Sequence, residues 1–108
     1  MGYTFKENVS DIRNTQVENM INFLKKKNFY NLDVYDPNVN LVDIKTPIKK
    51  IFIKKLVKFK YDGVIISVKH DKFIKFGSKY IKNLLRNDRG LIFDVKGILG
   101  NDKNIIKL

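Results

Sequence analysis

Cysteine is absent from this 108-residue chain, and His70 is its only histidine. A chain without cysteine forms no disulfide, offers no thiolate nucleophile and cannot build a cysteine-based zinc site. A single histidine is also too few for a histidine-based catalytic metal centre. We therefore expect neither a metal site nor a catalytic residue in this chain.

Long apolar runs are missing as well. No stretch approaches the roughly 18–20 apolar residues that a membrane-spanning helix needs, and the N-terminus carries no signal-peptide pattern. The lack of cysteine also fits a reducing compartment. We therefore expect a cytoplasmic protein without a membrane partner.

Arginine is scarce in a chain that is strongly basic. The net charge is +11, yet among the 22 basic residues only Arg13, Arg86 and Arg89 are arginines. A basic surface attracts phosphate backbones, but base-edge and bidentate phosphate recognition favour arginine over lysine. Abundant lysine occurs here together with abundant isoleucine and asparagine, which indicates a chain-wide bias in composition. We do not expect specific nucleic-acid binding, and a small basic nucleic-acid-binding α/β module is kept as an alternative.

The apolar pattern predicts strands that alternate with helices. Strands are expected at residues 2–5, 32–35, 51–53, 63–68 and 90–95, and helices at residues 15–27, 54–59 and 78–86. Thr15 and Glu18 form a capping box at the start of the first helix. Residues 98–99 begin a short final element, and the last residues form an apolar tail. This order predicts one α/β domain over residues 1–108, a three-layer Rossmann-like fold with a mostly parallel sheet.

Polar residues follow the predicted strands. Lys6, Asp36, His70 and Lys96 each come shortly after a strand, and parallel strands bring their carboxyl ends to one edge of the sheet. The two lysines, together with a helix N-terminus at Thr15, would provide positive charge and backbone donors at that edge. The pattern therefore predicts a diphosphate site.

Each of these residues also has a structural interpretation. The two lysines can be ordinary solvated lysines of a lysine-rich chain. Asp36 precedes a proline and can begin a turn, and His70 can be a hydrogen-bonding residue at the start of a helix. A glycine-rich dinucleotide loop is missing, so this chain would not hold NAD by that device.

Four groups of motifs follow one another along the chain. They are FKEN and DIRN (residues 5–8 and 11–14), VYDP (34–37), YDGVIISV with HDKF (61–68 and 70–73) and FDVKGIL (93–99). In this order they resemble the C-terminal, UDP-binding domain of the UDP-glucose/GDP-mannose dehydrogenase family. The FKEN, DIRN and FDVKG variants are most similar to the branch that acts on UDP-N-acetylhexosamines for capsule or O-antigen synthesis.

The resemblance implies a division of labour between domains. In the family an N-terminal Rossmann domain binds NAD, a helical region supplies the catalytic cysteine, and the C-terminal domain grips the UDP part of the substrate. The C6 alcohol of the sugar is oxidised twice, which gives a uronic acid and two NADH. On this basis Phe5, Lys6 and Lys96 would contact the UDP-sugar, and Arg13 would lie towards NAD.

The resemblance also sets limits on this chain. It carries no NAD domain and no catalytic cysteine, so we expect a binding domain that is inactive alone, either an excised domain or a fragment. Its first strand is truncated compared with the family, which we expect to lower the stability of the monomer or to favour a homo-oligomer. A free-standing regulatory nucleotide-binding module is a further alternative.

Overall fold

The computed structural model describes residues 1–4, 6–12, 16–29, 31–45 and 47–107. The elements in chain order are α1 (Val17–Lys26), two 3₁₀ helices (Leu41–Asp43 and Ile48–Ile51), β1 (Gly63–Ile66), α2 (Asp71–Lys82), β2 (Leu91–Asp94) and β3 (Ile105–Lys107). None of the described helices is long and apolar enough to cross a membrane.

The three strands form one parallel sheet in the order β1, β2, β3. Ile65 of β1 lies opposite Phe93 of β2, and Phe93 lies opposite Ile106 of β3. In β1 the side chains of Val64 and Ile66 are buried, as the apolar run predicts. The parallel sheet with intervening helices confirms the predicted α/β class.

Backbone pairing extends this sheet beyond β1. The Met1 amine donates to the Ile65 carbonyl oxygen at 2.7 Å, and the Ser67 N–H donates to the Met1 carbonyl oxygen at 2.9 Å. On the other side, the Gly2 N–H donates to the Tyr35 carbonyl oxygen at 2.9 Å. Met1 and Gly2 therefore lie between β1 and the segment that ends at Tyr35.

The predicted short strand at residues 51–53 is present as a single bridge. Val34 pairs in parallel with Phe52. The Val34 N–H donates to the Ile51 carbonyl oxygen at 2.9 Å, and the Ile53 N–H donates to the Val34 carbonyl oxygen at 2.8 Å. Along the sheet the backbone order is consequently residue 52, residue 34, residues 1–2, β1, β2 and β3.

Two apolar clusters lie on opposite faces of this extended sheet. The first comprises Tyr35, Val64, Ile66, Phe73, Ile81, Leu84, Leu85, Ile92 and Leu99. The second comprises Tyr3, Ile21, Val34, Ile44 and Ile48. Val34 and Tyr35 are consecutive in an extended segment, so their side chains point to opposite faces. Since α2 contributes to the first cluster and α1 to the second, the domain has three layers.

Helix α1 forms where the apolar pattern predicts it. Met20, Ile21 and Leu24 repeat at helical spacing, and Ile21 is the buried residue of the helix. Lys25 and Lys26 lie in the last turn, where the helix dipole favours positive charge. The N-cap is Gln16, without a side-chain capping bond. The predicted capping box rests on Thr15, which lies outside the described residues.

Gly2 lies where the backbone enters the sheet in close contact with Val68. Its φ is +93°, and a Cβ at this position would lie 2.7 Å from the Cβ of Val68. Real Cβ atoms essentially never approach that closely, so only glycine fits here. Of the described residues in the short strand predicted at 2–5, only Gly2 pairs with the sheet, because the N–H groups of Tyr3 and Thr4 donate to the Asp36 carboxylate instead.

The helix predicted at residues 54–59 was wrong. The Phe59 N–H donates to Asn83 at 2.8 Å, and the N–H groups of Lys60 and Tyr61 both donate to Leu84. These backbone donors are therefore used by the carbonyl groups that follow α2. Phe59 is also 65% exposed and has a left-handed backbone with φ of +58°, which a regular right-handed helix excludes.

The second predicted helix is longer and earlier than the pattern indicated. It begins at Asp71 rather than residue 78 and ends at Lys82 rather than residue 86. Gly77 interrupts the helical backbone with φ +74°. This explains why the apolar pattern did not predict one helix from the residues before and after Gly77. The fully buried ring of Phe73 anchors the first part in the core.

The C-terminal residues were predicted as a tail, and this was also wrong. Ile105–Lys107 forms β3, which pairs with β2 through Ile92 and Ile105. Three residues give too short a pattern for periodicity to identify as a strand. Leu108 lies outside the described residues.

Candidate functional site

Parallel strands bring several loops to one edge of the sheet. These loops are residues 3–8 after the Met1–Gly2 segment, 36–38 after Tyr35, 67–71 after β1, and 95–99 after β2. Open α/β sheets bind ligands at this edge. The predicted site residues that the structure describes, Lys6 and Lys96, lie in the first and last of these loops.

The buried carboxylate of Asp36 anchors the first loop. Its Oδ2 accepts hydrogen bonds from the N–H groups of Tyr3 at 2.6 Å and Thr4 at 3.1 Å. Its Oδ1 accepts from the Asn38 N–H at 2.8 Å. The side chain therefore replaces a strand partner for the backbone that follows Gly2.

The imidazole of His70 completes this arrangement. Its Nε2 lies 2.9 Å from Asp36 Oδ2 and 3.2 Å from Thr4 Oγ1. Its Nδ1 accepts a hydrogen bond from the Asn8 N–H at 2.9 Å. Because Nδ1 accepts, the neutral ring carries its proton on Nε2 and donates it to Asp36. His70 is thus a hydrogen-bonding residue at a helix start, the structural interpretation that its sequence position allowed.

Asp36 remains ionised in this surrounding. Burial by itself would raise its pKa, but the hydrogen bonds from His70 and from the backbone of Tyr3, Asn38 and Thr4 outweigh burial, and the pKa lies below its ordinary value. The negative charge of the carboxylate is stabilised by these hydrogen bonds from within the protein. Asp36 is therefore an anchor for the loop.

The same network holds the backbone on both sides of Lys6. Thr4 Oγ1 donates to the Lys6 carbonyl oxygen at 2.9 Å. Asn8 has a left-handed backbone, with φ of +59°, and its Oδ1 accepts from the Asp71 N–H at 3.0 Å at the start of α2. The Lys6 side chain itself is exposed. The loop consequently has a fixed backbone and an outward-facing cation.

A second buried carboxylate, Asp94, shapes the loop after β2. Its two oxygens accept from the Ile98 N–H at 3.0 Å and the Leu99 N–H at 2.8 Å. The Gly97 N–H donates to the Asp94 carbonyl at 3.2 Å, and Gly97 has φ of +67°. This confirms the predicted turn at Lys96 and Gly97, with the Lys96 side chain exposed.

Three other residues of the sequence prediction have no described structure. Phe5, Arg13 and Thr15 lie outside the described residues. Thr4, Asn8 and Asp94 were not predicted as site residues. Of these, Asp94 carried a recognisable signal, because a carboxylate at the end of a buried strand shortly before a glycine is typical of a turn cap.

A recess that the sequence did not predict lies beside the Asp36–Pro37 turn. It has a volume of about 300 Å³ and is lined in part by Tyr35, Lys54 and Lys72. The Lys72 ammonium lies 5.7 Å from the centre of the Tyr35 ring. Within the described part of the chain, no group of three His, Asp or Glu side chains is arranged to hold a metal ion.

Comparison with known families identifies the domain. Residues 1–101 match the sequence model of the UDP-glucose/GDP-mannose dehydrogenase family, UDP binding domain. The chain belongs to this family. The match confirms the resemblance that the four motif groups indicated, and no solved structure matches significantly.

Named relatives of this UDP-binding domain come from three bacteria. The chain is 30% identical over its full length to a UDP-N-acetyl-D-glucosamine 6-dehydrogenase of Salmonella typhi and 33% identical to one of Pseudomonas aeruginosa. It is 39% identical, over 95% of its length, to Protein CapL of Staphylococcus aureus. The matched part is 24–25% of each relative, so the chain spans about a quarter of their length.

Proposed function

We propose that this chain binds the UDP part of a UDP-sugar at the carboxyl edge of its sheet, between Lys6 and Lys96. It would serve as the C-terminal domain of an NAD-dependent UDP-sugar 6-dehydrogenase. Membership of the family supports the UDP assignment. The names of two relatives support a UDP-N-acetylhexosamine as the sugar nucleotide.

The observation that carries the proposal is the anchored loop around Lys6. Its backbone is held on one side by Thr4 and on the other by Asn8, while the lysine side chain is exposed. Because the backbone is already held, only the lysine side chain must be ordered when it meets an anion, and binding energy is not spent on ordering the loop. A diphosphate is the dianionic group that the family's ligand offers at this edge.

Lys96 supplies the second charge. The Met1–Gly2 segment pairs with β1 and β1 pairs with β2, so the loops of Lys6 and Lys96 are two strand spacings apart, or roughly 10 Å. Two lysines at that separation can approach one diphosphate from opposite sides. Phe5 would add an apolar wall beside the nucleotide sugar, and Arg13 would lie towards NAD.

Catalysis would require more than this chain. NAD would be held mainly by a separate nucleotide-binding domain, and a cysteine from another region would carry the covalent intermediates of the two-step oxidation at C6. This chain has no cysteine. Purified alone, it should therefore produce no NADH from UDP-N-acetylglucosamine and NAD, and reproducible turnover by the chain itself would overturn this assignment.

Titration with UDP-N-acetylglucosamine tests the binding site. Backbone amide shifts should concentrate at residues 4–12 and 94–97, with an affinity near the millimolar range. Lys6→Ala and Lys96→Ala should each weaken binding by about tenfold to a hundredfold, because a charge-assisted hydrogen bond contributes about 1.5–3 kcal/mol.

Lys49→Ala is the matched control, because Lys49 is an exposed lysine in the 3₁₀ helix Ile48–Ile51. It should change the affinity less than twofold. Equal weakening by Lys49→Ala and Lys6→Ala would mean diffuse charge attraction and would overturn the residue assignment. Stronger binding of duplex DNA, with steep salt dependence, would instead favour the nucleic-acid-binding alternative.

A further inference from the structure

The recess beside the Asp36–Pro37 turn takes no part in the proposed UDP site. Its volume is about 300 Å³, and it lies at the carboxyl end of the segments that contain Tyr35 and Phe52. The segment of Tyr35 is three strand spacings from β2, or roughly 14 Å, so the recess is well removed from Lys96. Its volume falls at the lower end of the range that small-molecule ligands occupy.

The walls of the recess are held by contacts within the chain. On one side the Asn38 N–H donates to Asp36 Oδ1 at 2.8 Å, which fixes the turn. On the other side the Phe52 ring packs edge-on against the Tyr3 ring, with the ring centres 5.1 Å apart. A ligand would therefore meet a pre-formed pocket, and little ordering of its walls would oppose binding.

Most of the side chains that line the recess are apolar or aromatic. They are Tyr35, Pro37, Val39, Leu41, Phe52 and Ile53. Tyr35 is buried, and Phe52 is half-buried. Aromatic rings favour offset-stacked or edge-to-face contacts with other rings. The lining therefore suits a ligand whose body is a flat, apolar ring.

Two lysines line the same recess from different parts of the chain. Lys54 follows the bridge at Phe52, and Lys72 lies at the start of α2. The Lys72 ammonium lies 5.7 Å from the centre of the Tyr35 ring and 5.9 Å from that of Phe76, so cation–π contacts hold it beside the recess. Among the described residues, no carboxylate forms an ion pair with either lysine.

The carboxylate that lines the recess does not neutralise these lysines. Asp36 accepts hydrogen bonds from the backbone of Tyr3, Thr4 and Asn38. Its Oδ2 also lies 2.9 Å from His70 Nε2. Because these partners already use the carboxylate, the recess has two cations without a counter-ion from the described part of the chain. A ligand with two negative charges would match them.

We propose that this recess is a second binding site, for a small-molecule phosphate monoester with an aromatic ring. The ring would lie against Tyr35 and Phe52, and the phosphate would lie between the ammonium groups of Lys54 and Lys72. A phosphate monoester carries a charge of about −1.5 to −2 at pH 7, and lysine binds phosphate as a point charge. This site goes beyond the proposed UDP function, because none of its four contact residues belongs to the UDP site.

Phenyl phosphate is the probe for this site, and inorganic phosphate and phenol are matched controls that lack the ring or the charge. At about 0.15 M salt, which screens diffuse attraction, phenyl phosphate should shift the amides of residues 35–41, 52–54 and 72–73 of the 108-residue chain. Each control should bind at least about tenfold more weakly. Equal binding of inorganic phosphate would overturn the role of the ring, and equal binding of phenol would overturn the anion site.

Substitution of the two lysines tests the residue assignment. Lys54→Ala and Lys72→Ala should each weaken the binding of phenyl phosphate about tenfold. Lys79→Ala is the matched control and should change it less than twofold, because Lys79 is an exposed lysine of α2 that does not line the recess. Equal weakening by all three substitutions would mean diffuse charge attraction and would overturn the assignment.

UDP-N-acetylglucosamine separates the two sites. Both ligands should bind at once, so the shifts at residues 35–41 should persist when UDP-N-acetylglucosamine is added. Lys54→Ala and Lys72→Ala should leave its affinity within twofold. Displacement of phenyl phosphate, or phenyl phosphate shifts confined to residues 4–12 and 94–97, would overturn a second site. Binding of phenyl phosphate in the recess without any binding of UDP-N-acetylglucosamine would support the second site and overturn only the UDP assignment.

Discussion

The Nε2 atom of His70 lies 2.9 Å from the Oδ2 atom of Asp36, and both side chains are fully buried. This pair joins the start of α2 to the end of the segment containing Tyr35. Through Thr4 and Asn8 it also holds the loop that carries Lys6. The stability of the fold and the geometry of the proposed UDP site therefore depend on the same two side chains.

Removal of the imidazole should be costly. His70→Ala leaves a buried carboxylate without its side-chain donor and the Asn8 N–H without its acceptor. We expect a loss of about 3 kcal/mol in the free energy of unfolding, since a hydrogen bond to a charged group contributes about 1.5–3 kcal/mol and the Asn8 N–H is left unsatisfied as well. Urea denaturation measures this loss.

Asp62→Ala is the control for that experiment. Asp62 pairs with Arg86 at 3.5 Å on the surface, with both side chains more than half exposed. Such a pair contributes less than about 1 kcal/mol. If the two variants unfold at the same urea concentration, the His70–Asp36 pair is not a stabilising element.

Stability should fall on acidification, through Asp36. The folded pKa of this carboxyl is below its ordinary value of 3.8, so the group contributes stability above about pH 4 that is lost as the pH falls through the folded pKa. The Asp36→Asn variant should show a flatter dependence of unfolding free energy on pH below 4. Asp102→Asn is the comparison, because Asp102 is a partly exposed carboxyl whose lowered pKa depends on the Asn104 N–H and Lys82. A larger flattening in Asp102→Asn than in Asp36→Asn would contradict this prediction.

Gly2→Ala should destabilise the domain. The substitution combines a left-handed backbone with a Cβ that would lie 2.7 Å from the Val68 Cβ. We expect a loss of about 2–4 kcal/mol, from backbone strain and overpacking together. Gly100→Ala is the matched control, because a Cβ there meets no atom within 4 Å. Thermal unfolding of the two variants should differ by several degrees, and equal melting temperatures would contradict the tight approach at Gly2.

The sequence by itself determined the class of fold and the family. The strands β1 and β2 follow from continuous apolar runs, which are typical of buried parallel strands, although Leu91 and Phe93 on one face of β2 are exposed. Helix α1 also follows from the local sequence, because its apolar residues recur at helical spacing. The motifs in their order then identified the UDP-binding domain, and the match over residues 1–101 confirmed it. The binding roles of Lys6 and Lys96 remain predictions.

Only the tertiary structure decided which short segments became strands or helices. Residues 54–59 resemble a helix in composition, but the Phe59 N–H bonds to Asn83 instead. The three residues of β3 form a strand because β2 lies beside them. In both cases the free energy comes from partners far along the chain, which local propensity does not contain.

The same reason applies to the anchored loop. The sequence marked Asp36 and His70 separately, each with an ordinary structural interpretation available. Their contact joins residues 34 positions apart, and the contact of His70 with Thr4 spans 66. Neither could be derived from spacing, because parallel strands bring distant loops to one edge, and only the path of the chain between them determines which polar groups meet there.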